Sequence, residues 1–354
     1  MSYFRLDDAD LVVSADAAVQ PLWSSGNITQ TNFFTSTTQA NSTQGNYYLS
    51  IYNEDPATNT TASVQFDITF GDVNGSGSVP YNALVEGASP TRTIYGQYRN
   101  LIFGDENTPF TFSVNGASSV TSSNFWVINF NRTNYKEHLF PASLNLTLQS
   151  GSSAVNSIVL TDNSKDVTID SFCDAGRIYD IVSGTDGSAI STGIGTSSPG
   201  FTMSGSYGYF LPDIDTIILN PLAVGLETGV GGIGIGGNDT PDLTNSNPST
   251  NFNRLFSYID SGSSFQIQSE ETITSDYVFC RVRNSEANYS INPSFISSST
   301  GEILDPVLIN SPEVYATAVG LYNDSNELLA VAKLSRPLRK DFTKEALVRV
   351  KLDF

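Results

Sequence analysis

The chain is poor in the side chains that most often carry chemistry, with one histidine and two cysteines among 354 residues. A structural zinc site needs about four His or Cys ligands, so this inventory argues strongly against one. Cys173 and Cys280 cannot build a disulfide framework, and we expect both to remain thiols that act as small apolar side chains. We therefore expect no metal and no cofactor.

Basic side chains are also scarce, since 17 Lys and Arg stand against 36 Asp and Glu and leave a net charge of −19. Phosphate backbones repel such a chain, so we expect no nucleic-acid partner. No run of apolar residues is long enough to span a membrane, and Met1–Asp8 lacks the pattern of a secretory signal. We expect a protein made in a cytoplasm, without a membrane partner.

What the chain does have is many short stretches in which apolar and polar residues alternate. Two of them lie between Gly45 and Phe70, with turn residues at 55–60 between them, and predict a half-buried strand pair. Similar runs occur at Phe125–Phe130, Leu144–Leu148, Ile158–Leu160, Ile178–Val182, Thr216–Leu219, Phe265–Gln268 and Thr272–Arg283. Because Gly, Asn, Ser and Pro separate these runs, antiparallel sheets are favoured over βαβ units. The predicted fold class is mainly β, with sandwich-like antiparallel sheets, a few short helices and more than one domain.

Two stretches show helical spacing instead. One begins at Ser89-Pro90 and stops at Gly104, and the other follows Asn251 and ends near Gly262. With Gly-rich loops between them, the chain divides into three expected regions. These are an N-terminal β region (1–90), a central α+β region (91–262) and a C-terminal β region (263–354).

Two apparent ligand-binding motifs fail on inspection. Gly229–Gly234 matches G-x-G-x-x-G, but no helix can start in register after it, so we interpret it as a loop. Asp72–Gly77 resembles the first half of a calcium loop, but Ala83 stands where the bidentate Glu is required. We expect a turn there, and a non-standard cation site is the alternative.

Two apparent catalytic motifs fail as well. Asp213 and Asp215 have the spacing of a carboxylate pair on one strand face, but the favoured interpretation is a solvated pair at a turn. Glu270 and Glu271 would face opposite ways. His138 has no nucleophile motif to serve, so we interpret it as a surface or interface side chain. We expect no catalytic residue and no enzymatic activity.

The C-terminus carries the most distinctive pattern. Two apolar runs at 314–323 and 327–337 flank the turn residues Asn323–Asn326 and predict a hairpin, and a last strand is expected at 347–354. The near-continuous apolar content predicts that both faces of the hairpin are covered. Seven of the seventeen basic residues lie here, namely Lys333, Arg336, Arg339, Lys340, Lys344, Arg349 and Lys351. They suggest either an interface or an ordinary solvated edge.

The same residues resemble a known family. The endings G-L-Y-N-D-S-N-E-L-L-A-V-A-K-L-S-R-P (320–337) and K-D-F-T-K-E-A-L-V-R-V-K-L-D-F (340–354) are similar to those of virion structural proteins of contractile-tailed bacteriophages, including those of cyanobacteria. Further similar blocks are Y-G-Q-Y-R-N-L-I-F-G (95–104), F-W-V-I-N-F-N-R-T-N-Y-K-E-H-L (125–139), G-R-I-Y-D-I-V-S-G (176–184), F-L-P-D-I-D-T-I-I-L-N-P (210–221) and S-E-E-T-I-T-S-D-Y-V-F-C-R-V-R-N (269–284).

The resemblance implies a non-enzymatic structural subunit of a phage virion, most readily a component of the tail baseplate. It implies assembly in the host cytoplasm, a homo-oligomer or ring, and other virion proteins as partners. A neck, collar or capsid-surface protein remains an alternative, and a receptor- or glycan-binding tail module is another. The expected interface residues are Leu321, Tyr322, Leu328, Leu329, Lys333, Arg336, Arg339, Lys340, Arg349 and Lys351.

Overall fold

The computed structural model describes residues 4–22, 28–36, 48–77, 89–114, 118–151, 156–190, 199–235 and 250–353. The fold is mainly β, with 45% of residues in strands and 15% in helices. Large antiparallel sheets and several separate sheets confirm the predicted fold class. Tyr47, in the first predicted strand, lies outside the described residues.

Strands make up most of the elements along the described chain, with four α-helices among them. The strands are β1 (Leu11–Pro21), β2 (Ile28–Gln30), β3 (Phe34–Thr35), β4 (Tyr48–Tyr52), β5 (Val64–Asp72), β6 (Thr111–Val114), β7 (Ser118–Thr121), β8 (Asn124–Phe130), β9 (His138–Leu139), β10 (Asn145–Gln149), β11 (Ser157–Asp162), β12 (Ser171–Cys173), β13 (Gly176–Thr185), β14 (Ser188–Ala189), β15 (Gly208–Leu211), β16 (Thr216–Leu219), β17 (Phe265–Ile267), β18 (Ser269–Val282), β19 (Glu313–Tyr322), β20 (Leu328–Asp341) and β21 (Ala346–Asp353). The helices are α1 (Pro90–Phe103), α2 (Pro221–Val224), α3 (Thr250–Gly262) and α4 (Val307–Asn310).

The chain forms two compact units. The large unit is Gln20–Glu271, and the small unit joins Met1–Val19 to Thr272–Phe354. These boundaries differ from those of the three regions expected from the sequence, because the first residues of the chain belong with the last. The three regions remain a prediction.

The large unit is built on one antiparallel sheet with strand order β2-β17-β10-β11-β13-β15-β16-β8-β5-β4-β3. Its centre is buried on both faces. In β8 the side chains of Phe125 and Val127 belong to one apolar cluster, while those of Trp126 and Ile128 belong to another. Successive residues of a strand point to opposite faces, so this strand has near-continuous apolar content because both of its faces are covered.

Helix α1 covers one face of this sheet. It follows Ser89 with Pro90 at its first position and ends at Gly104, whose φ of 65° is left-handed and suits glycine. Its Tyr95 ring stacks on Phe125 with ring centroids 5.1 Å apart. The sequence prediction of this helix is confirmed.

Helix α3 contributes to the cluster on the other face. The apolar stripe Phe252, Leu255 and Ile259 is buried there, as its spacing predicts. Trp126 donates from Nε1 to the backbone oxygen of Asn251 at 3.0 Å, which joins β8 to the first turn of the helix.

The small unit contains a sheet with strand order β1-β18-β21 and a separate hairpin of β19 and β20. Val278, Cys280 and Val350 form its buried apolar cluster, and Leu321 and Ala332 of the hairpin pack against it. The two sheets therefore share a thin core.

The prediction that both faces of the hairpin are covered is wrong for this chain. Tyr322, Leu329 and Val331 are 56%, 67% and 53% exposed. The inner face packs on the small core through Leu321, but apolar composition cannot say whether the outer face is covered by the same chain or by another molecule.

Candidate functional site

Side chains that the sequence places in separate motifs come together in the large unit. They form a charge cluster, which consists of Arg132, His138, Arg177, Asp213, Asp215 and Glu270. The two arginines were not among the candidates from the sequence, because a lone Arg in a strand or loop carries no motif. The turn that holds Asp213 lies close to both β9 and β13.

Arg177 of β13 is the centre of this cluster. Its Nη2 lies 2.5 Å from Oδ1 of Asp213 and 2.8 Å from Oε1 of Glu270, and its Nη1 donates to the second oxygen of Glu270 at 3.1 Å. Glu270 is only 3% exposed. One planar guanidinium thus neutralises two carboxylates with fork geometry that a lysine could not reproduce.

Gly176 makes this approach possible. Oδ2 of Asp213 accepts a hydrogen bond from the backbone N–H of Arg177 at 2.6 Å. A Cβ on Gly176 would lie 2.3 Å from that same oxygen, and the residue has a left-handed φ of 100°. Glycine is therefore required at this position both for space and for backbone conformation.

The cluster contains a second ion pair, between Arg132 and Asp215. Arg132 contacts Oδ2 of Asp215 at 2.5 Å through Nε, although the arginine is largely exposed and the carboxylate is 1% exposed. His138 places Nδ1 3.1 Å from the backbone oxygen of Asp213. The turn residue Asp215 is in the left-handed conformation, with φ 55°.

The interpretation of Asp213 and Asp215 as a solvated pair is therefore half right. They lie at a turn, a 3₁₀ turn over Pro212–Ile214, but their carboxylates face arginines rather than water. Burial works against ionisation of Asp213, and the hydrogen bonds and charge of Arg177 outweigh it, so its pKa lies below the ordinary value. Burial raises the pKa of Asp215 despite Arg132.

This arrangement is suited to holding strands together. A glycosidase needs an open gap between its two carboxyl groups for a sugar ring, whereas Glu270 and Asp215 are almost fully buried. A carboxylate held ionised by Arg177 is also a poor proton donor. The geometry is that of an internal clamp between β13, β18 and the 3₁₀ turn.

The remaining sequence motifs have local roles. Oδ1 of Asp72 accepts from the backbone N–H groups of Asn74 and Ser76, which confirms the predicted turn. Residues 228–230 form a short 3₁₀ turn within the Gly-rich segment, and the rest of that segment from 236 to 249 lies outside the described residues. Ala83 also lies outside them.

Both cysteines are free thiols in the described residues, with Cys280 buried and Cys173 half-buried. Burial raises the pKa of each thiol, which lowers its nucleophilicity near neutral pH. The described part of the chain holds no group of three or more His, Cys, Asp or Glu side chains placed to bind a metal ion. It also has no helix that is both long and apolar enough to cross a bilayer.

Asp180, on β13, is a buried acid outside the cluster. Burial raises its pKa to about 6, although hydroxyls of Ser113 and Ser206 oppose the shift. Its Oδ1 is buried and has no hydrogen-bond partner among the described residues. An acid whose pKa is higher in the folded protein than in the unfolded chain destabilises the fold wherever it is charged. That cost is absent below the ordinary pKa of 3.8 and complete above about pH 6.

Asp180→Asn is therefore expected to raise the free energy of unfolding by about 2–3 kcal/mol at pH 7.5, because two units of pKa shift correspond to roughly that amount. At pH 4 the gain should nearly vanish. Urea unfolding at the two pH values measures both quantities. Glu106→Gln, at an exposed acid of the same unit, is the matched control. It should leave the free energy of unfolding unchanged at both pH values. An equal gain in the free energy of unfolding at both pH values would show that the effect of Asp180→Asn does not come from removal of the buried charge.

The described exposed apolar side chains are unevenly distributed. Most of the large ones belong to the small unit, although it is the shorter of the two. Among its described residues, the buried apolar side chains are those of Val278, Cys280, Phe295, Ala346 and Val350. Strand β1 is the extreme case, since every residue from Leu11 to Gln20 is exposed. We call β1, β21 and the outer face of the β19–β20 hairpin the exposed strands of the small unit.

The structure separates the expected interface residues into three groups. Tyr322, Leu328, Leu329 and Lys333 are exposed on the hairpin, and Arg336 is exposed at an irregular stretch of β20. Arg349 and Lys351 lie on β21, where both are near the Tyr277 ring. Leu321, Arg339 and Lys340 face inward or are paired.

The third group, Leu321, Arg339 and Lys340, has partners within the chain. Leu321 packs on the small core, and Arg339 forms an ion pair with Glu313. Lys340 is 2% exposed and donates from Nζ to backbone or side-chain oxygens of Asn284 and Asn288. Burial lowers the pKa of Lys340. Leu321 and Lys340 would affect an interface only by supporting the strands that form it, whereas Arg339 keeps about half of its side chain exposed (49%).

Comparison of the chain with models of protein families, with curated proteins and with solved structures found no match.

Proposed function

We propose that this chain is a non-enzymatic structural subunit of a contractile-tailed bacteriophage virion. Within the virion, we place it in the tail baseplate, where it acts through contacts with other virion proteins. Synthesis and assembly take place in the host cytoplasm. The observation that carries this proposal is the surface of the small unit.

That surface is unusual for a protein that works alone. Soluble monomers rarely leave large contiguous apolar patches in water, and they protect exposed strand edges. Here Tyr322, Leu329 and Val331 are exposed on one hairpin face, and β1 is exposed along most of its length. Burial against neighbouring subunits would remove these apolar side chains from water.

The resemblance supports the same proposal from an independent direction. The most distinctive of the similar blocks, 320–337 and 340–354, span much of the hairpin and all of β21. They thus coincide with the exposed strands rather than with the core of the large unit. The buried charge cluster supports a structural role over the glycan-cleaving alternative, because its carboxylates are closed to a sugar.

The test uses purified particles of the phage that encodes the chain. Leu329→Ser combined with Val331→Ser is expected to lower the amount of the chain per particle at least about tenfold, because it removes apolar contact area from the outer hairpin face. Quantitative mass spectrometry of the particles measures this amount. Met203→Ser changes a similarly exposed apolar residue of the large unit and should leave incorporation unchanged.

The copy number of the unmodified chain decides its position. About six or twelve copies per particle are expected for a ring in the tail. Hundreds of copies would instead favour the capsid-surface alternative. Absence of the chain from purified particles would overturn the proposed function.

A further inference from the structure

We propose that copies of this chain join head to tail by extending the sheet of the small unit, so that β1 of one copy pairs with β21 of the next. This inference rests on the proposed function, since it names a second copy of the chain as one assembly partner. It adds the mode of contact, which is edge-to-edge strand pairing.

The first step is that both edges of this sheet are open. Its order is β1-β18-β21, and in the described residues no further strand pairs with the outer edge of β1 or of β21. Each outer edge therefore presents a row of backbone N–H and C=O groups that another strand can use.

The second step is that β1 carries few of the features that normally protect an edge. It is an 11-residue strand whose only charged side chain is Asp16, and its only proline is the last residue, Pro21. Val12 and Val13 are 61% and 65% exposed. A long apolar edge strand of this kind is a template for pairing.

The third step is charge, which selects the partner strand. β1 carries the acidic Asp16, while the exposed charged side chains of β21 are Arg349, Lys351 and Asp353. Lys351 forms an ion pair with Asp353, so Arg349 gives β21 its net positive charge. Pairing β1 with β1 would bring the acidic Asp16 of two copies into one strand pair, and pairing β21 with β21 would join two strands of net positive charge. Opposite charges across a strand pair stabilise it, and like charges destabilise it. The edges are therefore complementary to each other but not to themselves.

The consequence is a heterologous contact, in which two different surfaces of the same chain meet. Repetition of such a contact closes into a ring if the rotation between copies permits, and otherwise extends as a filament. The exposed Leu347 of β21 would be covered along with the valines of β1.

Charge reversal at each edge tests the inference on the full chain. Asp16→Lys and Arg349→Glu are each expected to weaken self-association about tenfold or more, because each places like charges across the strand pair. Sedimentation velocity over a concentration series measures the association. Asp324→Lys reverses an exposed charge of the same unit away from both edges and should associate like the unmodified chain.

A mixing experiment then separates contacts between copies from contacts within one copy. Asp16 also attracts Lys351 inside a single chain, so one variant alone is ambiguous. An equimolar mixture of Asp16→Lys and Arg349→Glu chains offers an opposite-charge partner at every edge, and association is expected to return. The doubly substituted chain should associate by itself for the same reason.

Three results would overturn the inference. They are an unmodified chain that stays monomeric at all concentrations, single variants that associate normally, and a mixture that stays dissociated while circular dichroism shows both chains folded. The proposed function fails separately, through absence of the chain from particles. A monomeric chain that is nevertheless found in particles would refute only the pairing of β1 with β21.

Discussion

Arg177→Met is expected to destabilise the large unit by about 3–5 kcal/mol, because removing one partner of a buried ion pair leaves the other charge uncompensated. Here two carboxylates lose their cation, and Glu270 is almost fully buried. Urea unfolding at pH 7, followed by circular dichroism, measures the difference in free energy of unfolding. Arg177→Lys keeps the positive charge but not the fork geometry. Its free energy of unfolding should therefore lie between those of Arg177→Met and the unmodified chain.

The pH dependence of this loss identifies its cause. Asp213 has a lowered pKa in the folded chain, so its contribution to stability is present above the ordinary value of 3.8 and is lost as the pH falls through the folded pKa. The difference in free energy of unfolding between Arg177→Met and the unmodified chain should therefore become smaller as the pH is lowered. Arg281→Met breaks the exposed pair with Glu345 and should have little effect, since such pairs contribute little. If this difference in free energy of unfolding does not change with pH, the loss of stability comes from the packing of the Arg177 side chain rather than from its charge.

Trp126→Ala is expected to lower the free energy of unfolding by about 3–5 kcal/mol, since deletion of a buried aromatic side chain leaves a cavity. Trp126 is 1% exposed and lies against Phe70, with ring centroids 6.1 Å apart. Its loss also leaves the backbone oxygen of Asn251 without the indole donor. The urea midpoint monitored by circular dichroism measures the effect.

Two controls accompany this variant. Trp126→Phe retains most of the ring and should cost less than the alanine variant, with the remainder reflecting the lost hydrogen bond and a smaller cavity. Phe172→Ala removes an exposed ring of the same unit and should leave the midpoint unchanged. Equal midpoints for Trp126→Ala and the unmodified chain would contradict the placement of Trp126 in the core.

The periodicity of the sequence predicts the local elements well. Alternation around Phe66 and Ile68 correctly predicts β5 and its buried face, and the spacing behind Asn251 correctly predicts α3. These patterns are informative because burial of one face forces a period of two in strands and about 3.6 in helices. They depend only on near neighbours in the sequence.

Local sequence patterns do not predict contacts between residues that are far apart in the chain. The charge cluster joins Arg177 to Glu270 across 93 positions, and no local pattern marks that pairing. The strands predicted from the sequence do not include β1, although the apolar residues of β1 alternate with Ser14, Asp16 and Gln20. Val12 and Ala18 weaken this alternation, and the structure leaves both faces of the strand exposed from Leu11 to Gln20.

The order of synthesis gives the discontinuous small unit a further consequence. The ribosome completes β1 before it makes the large unit, and β18 follows only after roughly 250 further residues. At about 5–20 residues per second, that interval lasts about 12–50 s. During this time the valines of β1 have no partner strand on the nascent chain, so a chaperone that binds apolar segments would have its main opportunity then. The large unit can fold before the small one, and a chain released early would lack the sheet that carries both open edges.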